Sequence, residues 1–209
     1  MRVAVIGSGI SGLAATWYLG RTNEVTLYER GPNIGMDASS VELDFGNGVV
    51  HINAPMRVFF EAYYPTLCQL YGEVGAAYEP IKYSGSFSHR GDRAYFHYRN
   101  FWLGNSTLPF LSGRSLRLPT AWRLGLALVQ LVGHVRKLDT KSLPDTLSLQ
   151  EYLEQLGHSE LGNRFLYPTF AGICTCSYEQ VKAYPAAIIL DYLARILTPS
   201  RVNRLTHGV

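Results

Sequence analysis

The sequence predicts an α/β chain that opens with a parallel β-α-β unit and continues into an α+β portion of antiparallel strands and helices. Three observations carry that expectation. "RVAVIG" is a short apolar run ending in glycine, as buried parallel strands do, and it runs into helix-like "ISGLAATWYLG" and then "EVTLYE". Aromatic, two-faced runs follow between residues 76 and 103, unlike the first two strands, and so belong to a different sheet. Beyond Pro119 the spacing of apolar residues is helical almost throughout. The reading divides the chain into residues 1–75, which hold the β-α-β unit, and 76–209, helix-rich after 119.

Taken in order, Gly20 closes the first helix as a C-cap. "SSVELDF" and "VVHIN" flank "GNG" as a hairpin, and a helix starts near Tyr64-Pro65, where proline suits the first turn. "AYEPIKYSGSFS" and "RAYFHYRNF" read as two antiparallel strands joined at "HRGD". A long helix spans Pro119 to Lys137. In "SLQEYLEQLG", Ser148 and Glu151 are placed as a capping box. The last third, through "YPAAIILDYLARIL", is helix-rich.

Composition bounds the function. With 209 residues, 47% of them hydrophobic and 12% aromatic, the chain is globular rather than disordered. A formal net charge of +3 is too small to imply nucleic acid as a partner. Cys68, Cys174 and Cys176 make no disulfide framework and read as buried thiols. The histidines are scattered without an i, i+4 pair, so no metal site is expected. "VAVIG" stops at glycine before a signal sequence develops, and a soluble cytoplasmic location is the expectation.

The chemistry lies at the first turn. Gly7, Gly9 and Gly12 form G-x-G-x-x-G where strand becomes helix. Gly7 permits the tight turn, Gly9 lets backbone approach a pyrophosphate, and Gly12 allows close helix–strand packing. Ser8, Ile10 and Ser11 complete the loop, whose helix N-terminus offers N–H groups and partial positive charge to phosphate. Glu29 ends the second strand about 20 residues on, where a carboxylate accepts ribose hydroxyls. Together these predict a dinucleotide site. Glu29 disfavours the 2′-phosphate of NADP, while Arg30 beside it weakens that argument; FAD and NAD are not separated by these residues.

"VAVIGSGISGLAATWYL" followed by "VTLYER" resembles the N-terminus of the flavin-containing amine oxidase and phytoene desaturase superfamily, and within it NAD/FAD-binding proteins of bacteria and fungi. "ELDFG", "YYPTLCQLYGEVG" and "YPTFAGICTCSYEQVKAYPA" are similar to later segments of that family more loosely. The family follows its strand-end acid with a loop of pattern x-G-G-H/R-x-x-T/S. In "GPNIGMDASS" Gly35 matches, Met36 and Asp37 depart from it, and Ser39 or Ser40 supplies the hydroxyl. The resemblance implies FAD as cofactor, held by Gly7–Gly12, Glu29, Arg30, Gly35 and Ser39. It implies hydride transfer from a C–N or C–C bond of a small molecule, with amines, polyenes and lipids all open. Members are longer and return to the nucleotide domain after the substrate domain. The expectation is therefore a chain incomplete relative to the family, either the first part of such an enzyme or a non-catalytic piece working through a partner chain; an NAD-linked dehydrogenase is the other alternative.

No acid occurs between Arg93 and Leu138, and the helix there has a broad apolar face with a polar stripe at Arg123, Gln130, His134 and Lys137. A core helix with a solvated basic edge is the favoured reading over a membrane-surface helix. The aromatics of "AYFHYRNFW" are expected to pack on helices rather than to line a flavin-facing pocket.

Overall fold

The computed structural model describes residues 1–35, 39–54, 58–196 and 201–206. They form two compact units, Met1–Phe59 with Tyr64–Pro80 and Asn203–Val209, and Phe60–Tyr63 with Ile81–Val202.

In the first unit, β1 (Arg2–Ile6), α1 (Ile10–Gly20) and β2 (Glu24–Tyr28) form the β-α-β unit. β1 and β2 pair in parallel, Val3 opposite Val25 and Val5 opposite Leu27. Those four residues are the more buried ones, and α1 packs on both strands. The alternate face is bare: Ile6 and Tyr28 are 86% and 56% exposed. Helix α1 ends one residue later than Gly20 as a C-cap would have it. Gly20 is its last helical residue and Arg21 caps it in an ordinary right-handed conformation, so no glycine is required there. Arg21 instead reaches Glu73 at 3.3 Å, joining the end of α1 to α2 (Pro65–Val74). The hairpin of β3 (Ser39–Asp44) and β4 (Val49–Ala54) turns at Gly46 and Gly48, both at positive φ. β5 (Phe59–Phe60) places the ring of Phe59 edge-on against Tyr71 and Tyr78.

The segment "AYEPIKYSGSFS" is not one strand. β6 (Tyr78–Pro80) pairs antiparallel with β10 (Val202–Leu205), Leu205 opposite Tyr78, in a three-stranded sheet ordered β5-β10-β6. β7 (Ser84–Phe87) belongs to another sheet. Ile81 N–H still donates to Val202 O on β10 at 2.8 Å, and the chain joins the other sheet only at Ser84.

The second unit has β7, β8 (Phe96–Leu103) and β9 (Ser106–Leu111) as an antiparallel sheet in that order. Phe87 faces Phe96, and Trp102 faces Thr107. β9 was not expected. It follows a tight Gly104-Asn105 turn, with Gly104 at φ +58, and carries Pro109 on a sheet edge where the missing N–H is harmless. On one face, Tyr98 lies over Gly85, whose missing Cβ leaves room for its ring.

Helices pack over this sheet. α3 (Pro119–Val135) buries Ala121, Leu124, Leu131 and Val135. The broad apolar face is therefore split, since Trp122, Leu126 and Val129 stay half or more exposed. His134 on the polar stripe hydrogen-bonds the Tyr152 hydroxyl at 2.9 Å. α4 (Leu149–Gln155) begins with the capping box as expected: Ser148 Oγ accepts from Glu151 N, and the Glu151 carboxylate accepts from Ser148 N at 2.9 Å.

α5 (Ser159–Leu161) runs through a π-helical turn at Gly162–Leu166 into α6 (Tyr167–Cys174). Pro168 accounts for the irregularity, because it cannot donate to the carbonyl of Arg164. That carbonyl accepts from the Tyr95 hydroxyl at 2.8 Å instead. α7 (Tyr178–Ala183) and α8 (Ala186–Ile196) complete the unit. Leu131, Leu149, Leu153, Leu161, Leu166 and Leu190 are at or near zero exposure and form its core. The three cysteines form no disulfide and are part-buried rather than fully buried.

Leu153→Ala is expected to lower stability by about 2–5 kcal/mol, from lost burial plus the cavity left behind. Gly133→Ala, on exposed α3 backbone with open space around an added Cβ, is expected to raise it by about 0.5–1 kcal/mol. Denaturant unfolding followed by circular dichroism checks both.

Candidate dinucleotide-binding site

The site is built at the C-terminal ends of β1 and β2. Gly7 N–H continues the ladder by donating to Tyr28 O at 2.7 Å, and at φ +92 the chain then turns away. Only glycine adopts that conformation readily. Gly9 is the N-cap of α1 in extended conformation, with no side-chain cap, and no acidic residue occupies the first turn. The leading N–H groups of the helix, at Ile10, Ser11 and Gly12, thus lack intrahelical acceptors and point to where an anion would sit. Gly12 packs against Gly7: a Cβ there would collide with the Gly7 carbonyl oxygen and touch Val5. The three glycines hold the places that the motif assigns them.

Ser8 is fully buried and joins three segments. Its N–H and its Oγ–H both donate to Glu29 Oε2, at 2.8 and 2.6 Å. Its Oγ accepts from Gly35 N–H at 3.0 Å. Glu29 Oε1 accepts from Gly31 N–H at 2.7 Å. These bonds, Gly31 foremost, then Ser8, with a further backbone bond from Arg30, hold the Glu29 carboxyl at about 2 instead of 4.5. A carboxylate offers roughly four lone-pair sites, and these donors fill them. A further donor to Glu29 would have to take the place of one, and the rotatable Ser8 Oγ–H is the one that can give way.

Gly35 sits at φ +103, a conformation the loop needs in order to present its N–H to Ser8. Arg30 is exposed, and its side chain stands apart from these bonds. Ser39 opens β3, paired with Ala54, at the far end of the loop. Met36 and Asp37, where the loop leaves the family pattern, lie outside the described residues. The structure therefore gathers Gly7, Ser8, Gly9, Gly12, Glu29 and Gly35 into one cluster. The Ser8–Gly35 link was missed in the sequence, where nothing marks a bond across 27 residues.

A dinucleotide fits these residues. The glycine cradle would be filled by any Cβ at Gly12, the helix N-terminus is uncapped, and a carboxylate ionised at all ordinary pH stands at the strand end.

Comparison with known proteins agrees. Residues 5–74 match the family described as NAD(P)-binding Rossmann-like domain. No curated protein sequence matches the chain. Among solved structures, putrescine oxidase bound to putrescine matches with a TM-score of 0.61 at 18% identity, over 100% of this chain and 47% of that one. A CLA-producing fatty acid isomerase from P. acnes matches with a TM-score of 0.56 at 20% identity, over 92% of this chain and 42% of the other. An oxidoreductase from Methanosarcina mazei matches with a TM-score of 0.55 at 16% identity, over 100% and 46%. Identities this low establish the fold, and the chain spans just under half the length of these structures.

Since Glu29 titrates at about 2 when folded and 4.5 when not, its ionised form stabilises the fold fully above pH 4.5, and that contribution is lost as pH falls through 2. Glu29→Gln is expected to unfold at lower temperature than the parent near neutral pH, the gap closing as pH drops from about 5 to 2. Ser8→Ala, which strips Gly35 N–H of its acceptor, is expected to destabilise by about 1 kcal/mol. Thermal unfolding across a pH series measures both. Residues 5–74 are thus similar to the NAD(P)-binding Rossmann-like domain family, and the chain shares the fold of about half of the putrescine oxidase structure.

Proposed function

We propose that this chain is the cofactor- and substrate-binding portion of an FAD-dependent oxidoreductase of the amine-oxidase-like class. The observation that carries the reading is the uncapped N-terminus of α1 beside the Ser8–Glu29 cluster, in a chain whose entire length follows the putrescine oxidase fold. In this reading Gly9–Gly12 N–H groups receive the pyrophosphate, Glu29 takes the adenosine ribose as Ser8 Oγ–H rotates aside, and Gly35 and Ser39 line the loop on the far side of the phosphates. Residues 1–75 hold the cofactor, and 76–209 belong to the substrate portion. FAD, when bound, supplies hydride acceptance from a C–N or C–C bond. The chain's own residues bind and orient, and no acid–base pair is assigned to the step.

The bare face of β1 and β2 bears on completeness. Parallel sheets are covered on both faces, so the active form needs a further segment or partner chain over Ile6 and Tyr28. Glu29 disfavours a 2′-phosphate, which leaves NAD as the competing ligand.

Titration of the purified chain with FAD, followed by quenching of flavin fluorescence, is expected to saturate, with NAD binding at least tenfold weaker. Gly12→Ala is expected to abolish FAD binding, because its Cβ has no room against Gly7 O. Saturable NAD binding with no response to FAD would sink the flavin reading in favour of a dehydrogenase. No response to either nucleotide would leave a non-catalytic partner-binding chain.

A further inference from the structure

The second unit contains a cavity of about 440 Å³, within the size range of small-molecule sites. Its floor is the face of the antiparallel sheet that carries Tyr98 and Asn100 on β8 and Thr107 on β9. Its walls come from α3, α6 and α8 together with Phe165 of the π-helical turn. Among the described residues that line it there is no Asp, Glu, Lys, Arg or His. Its rim is apolar and accessible, with Phe110, Trp122, Leu126, Val129 and Ile173 each more than half exposed. An apolar entrance that opens into an apolar interior admits an apolar ligand without desolvating any charge.

The polar groups inside are neutral: Thr169 Oγ1 donates to Phe165 O, and a cluster lies on the sheet. Asn100 is 7% exposed, and both it and the Tyr98 hydroxyl hydrogen-bond Tyr83. Thr107 Oγ1 is buried without a hydrogen-bond partner. An unpaired buried hydroxyl is unfavourable by itself, which makes it a place for one polar atom of a ligand. Near this end the cations Lys82 and Arg201 stack on the ring of Trp102, the cross-strand partner of Thr107. A cationic ligand finds no counter-ion here.

We propose that this cavity binds a neutral, chain-like apolar molecule with one oxygen-bearing head group, the chemical class of long-chain alcohols, aldehydes and ketones, and that it excludes ammonium ligands. The chain lies among the apolar walls, and the head meets Thr107 and Asn100. This goes beyond the flavin reading and stands on the second unit alone. If that reading holds, the same class is the substrate.

The geometry supplies its own blocking variant. Gly125 lines the cavity, and a Cβ there meets nothing within 4 Å. Gly125→Leu therefore fills the space from a helix that gains propensity by the change. The test titrates the full chain, free of nucleotide, with octan-1-ol, decan-1-ol and dodecan-1-ol, and follows tryptophan emission, since Trp122 lines the cavity. Saturable binding is expected to tighten by about fourfold per added methylene. Dodecylammonium is expected to bind at least tenfold more weakly than dodecan-1-ol, and putrescine not at all.

Gly125→Leu is expected to abolish the alcohol response while its thermal unfolding and circular dichroism match the parent. Thr107→Val is expected to weaken binding about fivefold. Binding that ignores chain length, or ammonium bound as tightly as alcohol, would overturn the proposal. So would an unchanged response in a folded Gly125→Leu; if that variant fails to fold, an unchanged Thr107→Val does the same. Because no nucleotide is present, failure here leaves the flavin reading standing, and a chain that takes alcohols but not FAD separates the two.

Discussion

Ser8 and Glu29 hold three pieces of chain together just past the last ladder bond of β1 and β2. The ends of β1 and β2 would diverge after their last ladder bond, and the loop at Gly31–Gly35 would have no fixed course. One carboxylate, accepting from Ser8 twice and from Gly31, fixes all three. The same hydroxyl then accepts from Gly35. A neutral Gln at position 29 could copy some of this geometry but could not accept on both atoms, since one would be an NH₂ donor. The constraint is thus chemical as well as spatial. It also arranges a loop with its donors directed inward and the first turn of α1 left open.

Glycine has a different task in each unit. At Gly7 and Gly12 it serves backbone proximity, where helix and strand meet closer than a Cβ permits. At Gly85 and Gly162 it makes room for an aromatic ring, Tyr98 in one case and Tyr167 in the other. The first use shapes a cradle of N–H groups. The second lets rings lie against backbone, and the π-helical turn before Pro168 places Phe165 in the cavity wall.

The β-α-β unit was legible because its signals are local: a strand ending in glycine, three glycines at fixed spacing, and an acid where the second strand stops. The α4 capping box was legible for the same reason, two residues at a fixed offset. What escaped was set at long range or by small signals. β10 is four residues long, and its partner β6 lies more than 120 positions back, where Arg204 pairs with Glu79. β9 had a cue in Gly104-Asn105, a dipeptide that favours tight hairpins, but a proline within the strand obscured it. The apolar face of α3 could be read as a stripe. Its split into a core-facing row and a cavity-facing row depends on what packs against it, which no helical periodicity reveals. In the same way Gly35 could be matched to a family loop, while its bond to Ser8 could not.

A shared fold leaves open what is bound. The fold of this chain is that of a putrescine oxidase, whose ligand carries two ammonium groups at neutral pH. Recognising such a ligand by contact calls for carboxylates or a stack of aromatic faces open to a cation. The cavity of the second unit offers no carboxylate, its Tyr83, Phe96, Tyr98 and Phe165 rings pack on one another, and its polar groups are phenols, an amide and two hydroxyls. Burial pushes the Tyr83 and Tyr98 phenols further from ionisation. The lining is therefore uncharged across the physiological range, and binding there cannot be tuned by protonating the protein. Any dependence of affinity on pH must come from the ligand, and a ligand that titrates to a cation loses its place as it does so.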